Sequence, residues 1–205
     1  MGETPPGLRS APYAPSVEQS PGSGSASRLR IQPETAQDHA AVRAAVQAAF
    51  VSHRRVADLV ELIRESPHFV PELSLVAKDA DEVVGHVMLS HADLVDEVGI
   101  RHRVLTLSPL AVLPSRQAEG IGGSLVRAGV RAADLLGEPL VVLEGSPAYY
   151  ARFGFRRADE FGITIDLPDW APPEAAMVHP LTAYDAAVRG RLDYPPAFAA
   201  TGSSR

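Results

Sequence analysis

Residues 107–126, LSPLAVLPSRQAEGIGGSLV, contain the pattern that decides the fold. The pattern predicts an apolar strand, a turn broken by Pro114, a cluster of glycines and then a helix. Glycines at the beginning of a helix leave its first backbone N–H groups uncovered, and the helix dipole adds partial positive charge there. The segment therefore predicts an anion site that suits a phosphate or a pyrophosphate.

Three glycine motifs compete for this segment. The dinucleotide fingerprint G-x-G-x-x-G accepts Gly120 and Gly122, but its third glycine falls on Leu125. The nucleotide P-loop G-x-x-x-x-G-K-[ST] requires a lysine, and no lysine follows these glycines. The third motif is Gln/Arg-x-x-Gly-x-Gly/Ala after a strand, and Gln117, Gly120 and Gly122 meet it in full.

Composition limits the class of protein. The 205 residues suit one domain, and 45% hydrophobic with 21% charged residues is ordinary for a globular chain. A net charge of −6 argues against nucleic acid as a main partner, since backbone phosphates require basic surfaces. The absence of cysteine excludes disulfides, thiolate metal sites and a cysteine nucleophile. The histidines show no spacing typical of metal ligands, so we expect no metal.

The beginning of the chain differs from the rest. Residues 1–27 are rich in Pro, Gly and Ser and predict a disordered tail. They lack the apolar segment of a signal peptide, and no apolar run elsewhere approaches the ~20 residues of a membrane span. We therefore expect a cytoplasmic protein without a membrane partner.

The rest of the chain predicts one domain over residues 28–183 and a C-terminal extension over residues 184–205. The predicted element order, βααβββαβαββ, indicates an α/β fold with a mixed, mostly antiparallel sheet flanked by helices. The strands before and after the glycine loop and its helix are predicted to be the one parallel pair. The apolar run at residues 140–143 predicts a strand covered on both faces. In the extension we predict a small helix at residues 184–191 and an extended segment at residues 192–198.

The third glycine motif resembles the acetyl-CoA pyrophosphate loop of the GNAT superfamily of N-acetyltransferases. A second pattern of that superfamily, Tyr-x-x-x-Gly-Phe, is met downstream by YARFGF at residues 150–155. The phrases PLAV at residues 109–112 and YYARFGF at residues 149–155 are most similar to the YhbS branch. The resemblance covers residues 29–182. It implies a GNAT-like fold, an N-acetyltransferase domain at residues 28–183 and acetyl-CoA as the co-substrate.

The resemblance also implies where the cofactor binds. The pyrophosphate is expected on the backbone N–H groups of the glycine loop, where glycine lets the backbone approach closely. The pantetheine arm is expected to pair with the preceding strand end like an added strand, with the Val112 N–H as the oxyanion donor. The expected cofactor-binding residues are Leu110, Ala111, Val112, Gln117, Ala118, Glu119, Gly120, Ile121, Gly122, Gly123 and Ser124.

Two side chains are predicted to be catalytic. The second motif fixes Tyr150 as the general acid, because a phenol with an ordinary pKa near 10 stays protonated at neutral pH and can donate to a thiolate of pKa roughly 8.5. Glu144 ends the apolar strand beside the expected cleft and is the candidate base, directly or through water. Many superfamily members use a water chain with no single base.

Four nearby side chains have weaker signals. Tyr149 is predicted to pack, since it faces away from Tyr150 on a helix. His86 and His91 lie on or after a central strand and are predicted to be structural. Ser146 stands where many superfamily members carry an asparagine that touches the cofactor, so the resemblance gives no firm role to this position.

The sequence thus predicts an acetyl-CoA-dependent N-acetyltransferase that transfers the acetyl group directly to a primary amine. The acceptor is a small molecule or a peptide, and the resemblance leaves a homodimer open. The alternative is a non-catalytic acyl-CoA-binding or sensing module with the same pocket. A dinucleotide- or nucleotide-binding protein is disfavoured by Leu125 and by the missing lysine.

Overall fold

Nine strands and five α-helices are found in the computed structural model, which describes residues 29–53 and 55–201. The tail predicted at residues 1–27 lies outside the described residues. The strands are β1 Arg30–Pro33, β2 Ser74–Asp79, β3 Glu82–Val95, β4 Arg101–Val112, β5 Leu140–Glu144, β6 Arg156–Arg157, β7 Ile163–Thr164, β8 Ala176–Pro180 and β9 Gly190–Asp193. The helices are α1 His39–Ala49, α2 Arg55–Arg64, α3 Ile121–Leu135, α4 Pro147–Tyr150 and α5 Pro196–Thr201.

All nine strands belong to one sheet in the order β1-β2-β3-β4-β5-β8-β6, and β9 pairs with both β3 and β7. Neighbouring strands along this order are antiparallel except for β4 and β5, which are parallel. The parallel pair is connected by α3, as expected for a crossover helix. The predicted mixed, mostly antiparallel sheet is therefore confirmed.

Helix α3 covers one face of the sheet. Leu125 and Val126 of the helix pack with Val87 and Leu89 of β3 in the largest apolar cluster, and all four are buried. Their spacing on α3 produces the apolar stripe that the sequence pattern predicts. This packing fixes the beginning of α3 relative to the ends of the central strands.

Helices α1, α2 and α5 cover the opposite face. Val42 of α1, Leu59 of α2 and Phe198 of α5 pack with Met88 and Ala111 of the central strands. A further apolar cluster continues along this face beneath β8 and β9. The sheet is thus buried on both sides at its centre, which explains the near-continuous apolar runs of its central strands.

The parallel pairing of β4 with β5 is short. It consists of Leu105 opposite Val141 and Thr106 opposite Val142. Beyond these residues β4 passes through a bulge in its register with β3, while β5 continues along β8 to its end. Because both strands continue after they stop pairing, a β4–β5 wedge opens between their carboxyl ends.

The structure differs from two predictions for the residues after 183. The helix predicted at residues 184–191 is absent, since these residues form turns and the start of β9. Gly190 has φ +133°, and a Cβ at this position would overlap the Val95 carbonyl, so the backbone here is not helical. The extended segment predicted at residues 192–198 is only partly extended, because α5 begins at Pro196 and buries Phe198.

None of the helices formed by the described residues has both the length and the apolar character that crossing a lipid bilayer requires.

A buried ion pair joins the end of β1 to α2. The Arg64 Nε donates to Glu34 Oε1 at 2.8 Å and Nη2 donates to Oε2 at 2.6 Å. The two side chains are only 6% and 2% exposed. Burial acts to raise the pKa of Glu34, but the hydrogen bonds from Arg64 and nearby positive charge outweigh it and lower the pKa. A buried bidentate pair depends on both partners, because removing one leaves the other charge buried and uncompensated.

Replacing Arg64 by Met therefore leaves a buried carboxylate without its partner. We expect Arg64→Met to reduce the free energy of unfolding by about 3–5 kcal/mol, measured by urea denaturation. The matched control is Arg43→Met, because Arg43 pairs with Asp58 on the surface with side chains 40% and 52% exposed. The control should change stability by less than about 1 kcal/mol. Equal losses in both variants would contradict the account of this pair.

Candidate active site

The glycine loop ends in a helix without a side-chain cap. Gly120 is the N-cap of α3 with φ +81°, and no side chain bonds to the first turn. The N–H groups of Ile121, Gly122 and Gly123 therefore lack intrahelical acceptors. Ser124 begins the regular hydrogen bonding, since its N–H and its hydroxyl both donate to the Gly120 carbonyl, at 3.0 and 3.1 Å. The first turn thus presents a row of free donors.

Ala118 adopts a left-handed backbone conformation in the same loop, with φ +67°. A residue with a Cβ is uncommon in this region and costs roughly 1–3 kcal/mol there. Together with Gly120 it turns the chain sharply before the helix begins. The strain is located in the segment for which the sequence predicts an anion site.

Side chains hold the loop to the neighbouring strands. The Gln117 side-chain amide donates to the Val112 carbonyl at 3.2 Å, which ties the loop to the end of β4. Arg116 binds Glu119 at 2.9 Å and Asp79 at 3.0 Å. The acidic side chain of the loop, Glu119, is therefore paired with a cation beside the helix N-terminus.

The backbone of β4 offers free groups to the wedge. The Leu113 N–H donates to the Val84 carbonyl of β3 at 3.0 Å. Because successive residues of a strand direct their N–H groups to opposite edges, the N–H groups of Leu110 and Val112 face the wedge. Ala111, in contrast, directs its backbone N–H and C=O groups to β3, where it is paired with His86. Its side chain is buried in the core against α1 and α2.

Tyr149 lies over the first turn of α3. Its hydroxyl is 2.6 Å from the position that a Cβ on Gly122 would occupy, and Val112 Cγ2 is 3.6 Å from the same point. Burial raises the pKa of Tyr149, and the nearby Arg152 and Arg127 act in the opposite direction. The sequence predicts only packing for Tyr149, whereas the structure places its hydroxyl between the glycine loop and the wedge.

Tyr150 lies beside Tyr149 and packs on Gly145. Its ring carbons Cε2 and Cδ2 lie against the position of a Gly145 Cβ, with Cδ2 at 2.7 Å, so a larger residue would displace the ring. Edge contacts with Tyr149 and Phe155, at centroid distances of 4.9 and 5.6 Å, hold the ring in place. Burial raises the pKa of the Tyr150 phenol, which therefore keeps its proton.

Glu144 ends β5 directly before Gly145. The Tyr194 hydroxyl donates to Glu144 Oε1 at 2.6 Å, and the Tyr194 ring stacks on Phe198 at 4.7 Å. Partial burial of the carboxylate raises the pKa of Glu144, and the negative charge of Asp166 raises this pKa further. The hydrogen bond from Tyr194 acts in the opposite direction and lowers the pKa. A carboxylate with a raised pKa is a stronger base at neutral pH. Glu144 and Tyr150 thus flank one glycine, which brings the two predicted catalytic groups to the same end of β5.

The remaining side chains singled out by sequence have structural contacts. Ser146 caps α4 by accepting the Tyr149 N–H at 3.3 Å. His86 is fully buried with its Nε2 at 3.0 Å from Ser74 Oγ, and burial lowers the pKa of His86 to about 4. His91 Nε2 is 3.0 Å from Glu138 Oε1. In the described part of the chain, no group of three or more His, Asp or Glu side chains could hold a metal ion.

Two arginines missed by the sequence reasoning flank the first turn of α3. Arg127 Nη1 is 3.7 Å from the Cβ position of Gly123, and its guanidinium lies 5.4 Å from the Phe153 ring centroid. The Arg152 guanidinium lies 4.8 Å from the Tyr149 ring centroid and 5.3 Å from that of Phe153. The spacing of Arg127 from Gly123, one helical turn, was a usable signal. No comparable signal marks Arg152.

The comparisons with known proteins agree with the family that the two sequence motifs predict. Residues 71–157 match the family model described as the acetyltransferase (GNAT) domain. The chain is also 32% identical over 169 residues to the uncharacterized N-acetyltransferase YhbS of Escherichia coli, covering 81% of this chain and 96% of YhbS. The chain therefore belongs to the GNAT acetyltransferase family, as the two sequence motifs predict.

Other relatives give the same assignment. The chain is 34% identical over 140 residues to the uncharacterized N-acetyltransferase YjhQ of Escherichia coli, covering 66% of this chain and 76% of YjhQ. The crystal structure of Escherichia coli YhbS with CoA superposes with a TM-score of 0.76 at 29% identity, covering 87% of this chain and 96% of YhbS. A Brucella melitensis GNAT acetyltransferase with acetyl-CoA superposes with a TM-score of 0.68 at 28% identity, covering 84% and 99%.

Proposed function

We propose that this GNAT protein is an acetyl-CoA-dependent N-acetyltransferase that transfers the acetyl group directly to a primary amine. One observation carries the proposal: the β4–β5 wedge opens directly beside the uncapped first turn of α3. A diphosphate and a thioester arm on one molecule can use both surfaces together. The CoA and acetyl-CoA complexes of the two structural relatives support this choice of donor.

The diphosphate binds the free N–H groups of the glycine loop, residues 117–124. The helix dipole and the aligned amides favour an anion there without a side-chain ligand. Arg127 and Arg152 add positive charge beside this turn. The pairing of Glu119 with Arg116 limits repulsion between the loop's carboxylate and the diphosphate.

The pantetheine arm lies in the wedge as an added strand. Its amides pair with the end of β4 through groups that β5 leaves free, among them the Leu110 N–H, in the manner of strand addition to a sheet edge. The Gln117 side chain occupies the Val112 carbonyl, and the Val112 N–H stays free for the acetyl group. The acetyl carbonyl then lies at the Val112 N–H. This donor stabilises the oxyanion of the tetrahedral intermediate.

The reaction uses the two groups that flank Gly145. Glu144 takes the proton of the ammonium, directly or through water, and the neutral amine attacks the carbonyl carbon. The new C–N bond forms, the C–S bond breaks, and Tyr150 donates a proton to the departing thiolate. The second proton that the nitrogen loses as it becomes an amide then returns to Tyr150, and Glu144 releases its proton to solvent. The products are the N-acetylamine and CoA, with no covalent enzyme intermediate. Burial raises the pKa of the Tyr150 phenol, so the phenol keeps its proton until the thiolate departs.

Replacing Tyr150 by Phe tests this function. We expect Tyr150→Phe to slow amine-dependent thiol release from acetyl-CoA by about 10²–10⁴-fold, because the thiolate loses its proton donor. The affinity for CoA should stay unchanged, since the phenol ring remains. The matched control is Tyr184→Phe, whose ring packs on Phe161 away from α4, and it should keep the wild-type rate.

Two outcomes would contradict the proposal. A wild-type rate in Tyr150→Phe would remove the phenol from the mechanism. Stabilisation of the protein by acetyl-CoA without thiol release for any amine would indicate a non-catalytic acyl-CoA-binding module instead.

The hydrogen bond from Tyr194 to Glu144 makes the pH dependence testable. This bond lowers the pKa of Glu144 against the effect of burial, so Tyr194→Phe should raise that pKa. The base must be deprotonated to act, and the acidic limb of the kcat profile should therefore move to higher pH. Glu144→Gln should abolish this limb. An acidic limb at the same pH in all three proteins would show that Glu144 is not the base.

A further inference from the structure

An open groove follows α3 from the first turn of that helix. This α3 groove has a volume of about 320 Å³, and it is lined by side chains of α3, by Phe153 and by residues 179–182. It begins at the glycine loop, because Phe153 Cζ lies 2.9 Å and Arg127 Nη1 lies 3.7 Å from the Cβ position of Gly123. The groove therefore adjoins the backbone N–H groups to which the diphosphate is assigned.

Arginine side chains give the α3 groove its charge. Arg127 and Arg131 line it from α3, one helical turn or about 6 Å apart along the helix axis. Arg152 adds a third guanidinium group beside Phe153. Within residues 29–53 and 55–201, none of these three arginines forms a salt bridge with a carboxylate, whereas Arg156 and Arg157 both do. Three positive charges are therefore available to a ligand.

Phe153 holds two of these guanidinium groups beside the first turn. Arg127 and Arg152 lie over its ring, at 5.4 and 5.3 Å from the centroid. Arg152 Nε also donates to the Tyr149 carbonyl at 3.2 Å. A guanidinium that rests on an aromatic face keeps N–H donors at its edge for an anion. The donors are thus oriented before a ligand binds.

The acidic side chain in the lining of the α3 groove already has partners. The Thr182 N–H and hydroxyl donate to Asp134 at 2.7 and 3.1 Å. Asp134 lies about two helical turns beyond Arg127, away from the glycine loop. Positive charge therefore dominates the part of the groove next to the loop, in a chain whose net charge is −6.

The two neighbouring glycines of the first turn face different surfaces. Val112 Cγ2, at the β4–β5 wedge, lies 3.6 Å from the Cβ position of Gly122. Gly123 instead faces Phe153 and Arg127 at the α3 groove. A ligand whose diphosphate lies on this turn can therefore extend one arm into the wedge and the other into the groove.

We propose that the α3 groove binds the 3′-phosphate of CoA and that Arg127 and Arg131 select CoA over dephospho-CoA. The inference rests on the proposed function, which assigns the diphosphate to the first turn and the pantetheine arm to the wedge. The 3′-phosphate is on the same ribose that carries the diphosphate at its 5′ carbon, so it lies one sugar ring from that turn. A phosphate monoester is a dianion, and two guanidinium groups can bind it through several charge-assisted hydrogen bonds.

Isothermal titration calorimetry with CoA and dephospho-CoA at constant ionic strength tests this selectivity. We expect the wild type to bind CoA more tightly by about tenfold or more, as hydrogen bonds between charged groups predict. Arg131→Gln should weaken CoA binding about fivefold and leave dephospho-CoA binding unchanged, because one such bond is lost. Arg127→Gln should weaken the binding of both, since Arg127 also borders the diphosphate, and the double variant should no longer distinguish the two cofactors.

The matched control is Arg103→Gln. It removes the same charge from an exposed position near the start of β4, at the end of this strand away from the wedge. The control should keep the wild-type ratio of the two affinities. A ratio that falls equally in Arg103→Gln and Arg131→Gln would show a general effect of net charge and would overturn the assignment of the groove.

Acetyl transfer gives a second measure of the same selectivity. With acetyl-dephospho-CoA as the donor, the wild type should show a KM higher by about tenfold or more and an unchanged kcat, because the missing phosphate is remote from the thioester. In the double variant the KM values for the two donors should be equal.

The two proposals fail in different ways. The predicted preference for CoA without acetyl transfer to any amine would refute the proposed function and keep the α3 groove as a phosphate site. Equal affinities of the wild type for CoA and dephospho-CoA would overturn the groove while leaving transfer intact. A preference for CoA that survives in the double variant would overturn the roles of Arg127 and Arg131.

Discussion

The early end of the pairing between β4 and β5 is the constraint on which the site depends. After Thr106 and Val142 the two strands no longer share hydrogen bonds, although both continue. Backbone groups that leave a ladder need other partners, so the end of β4 is an incomplete sheet edge in the middle of a sheet. A ligand that can pair like a strand completes this edge, and the CoA complexes of the two structural relatives fit this interpretation.

The position of α3 gives the wedge its second surface. Gly129 faces Leu89, with Leu89 Cδ1 2.8 Å from the position of a Cβ, and Gly85 faces Leu125 Cδ1 at 3.0 Å. Side chains at these glycines would push the helix away from the sheet. The close packing therefore places the first turn of α3 beside the end of β4. The same glycine-rich composition that permits the anion site also brings the helix into contact with the strands.

Most of the cofactor side of the site could be predicted from the sequence, because its determinants are local. The glycine loop lies between a strand and a helix, and the order of Gln117, Gly120 and Gly122 distinguishes it from nucleotide-binding loops. The parallel crossing around it also follows from the alternation of strand and helix. The family and the fold predicted on this basis are confirmed. The roles assigned to Tyr150 and Glu144 remain predictions.

The side of the site around Glu144 depends on contacts between distant parts of the chain, and no local pattern of residues signals these contacts. Tyr194 reaches Glu144 because the preceding strand, β9, joins the sheet beside β3. The sequence pattern instead predicts a helix at residues 184–191. That prediction was wrong because the local pattern of residues 184–191 contains no sign of the pairing between Leu192 and Leu94.

Amide hydrogen exchange measured with and without CoA tests the central claim most directly, because it reports on the backbone groups themselves. The account predicts that saturating CoA slows exchange by at least tenfold in peptides that cover residues 110–112 and 118–124. Unchanged exchange in both segments at saturating CoA, or protection confined to other parts of the chain, would contradict it.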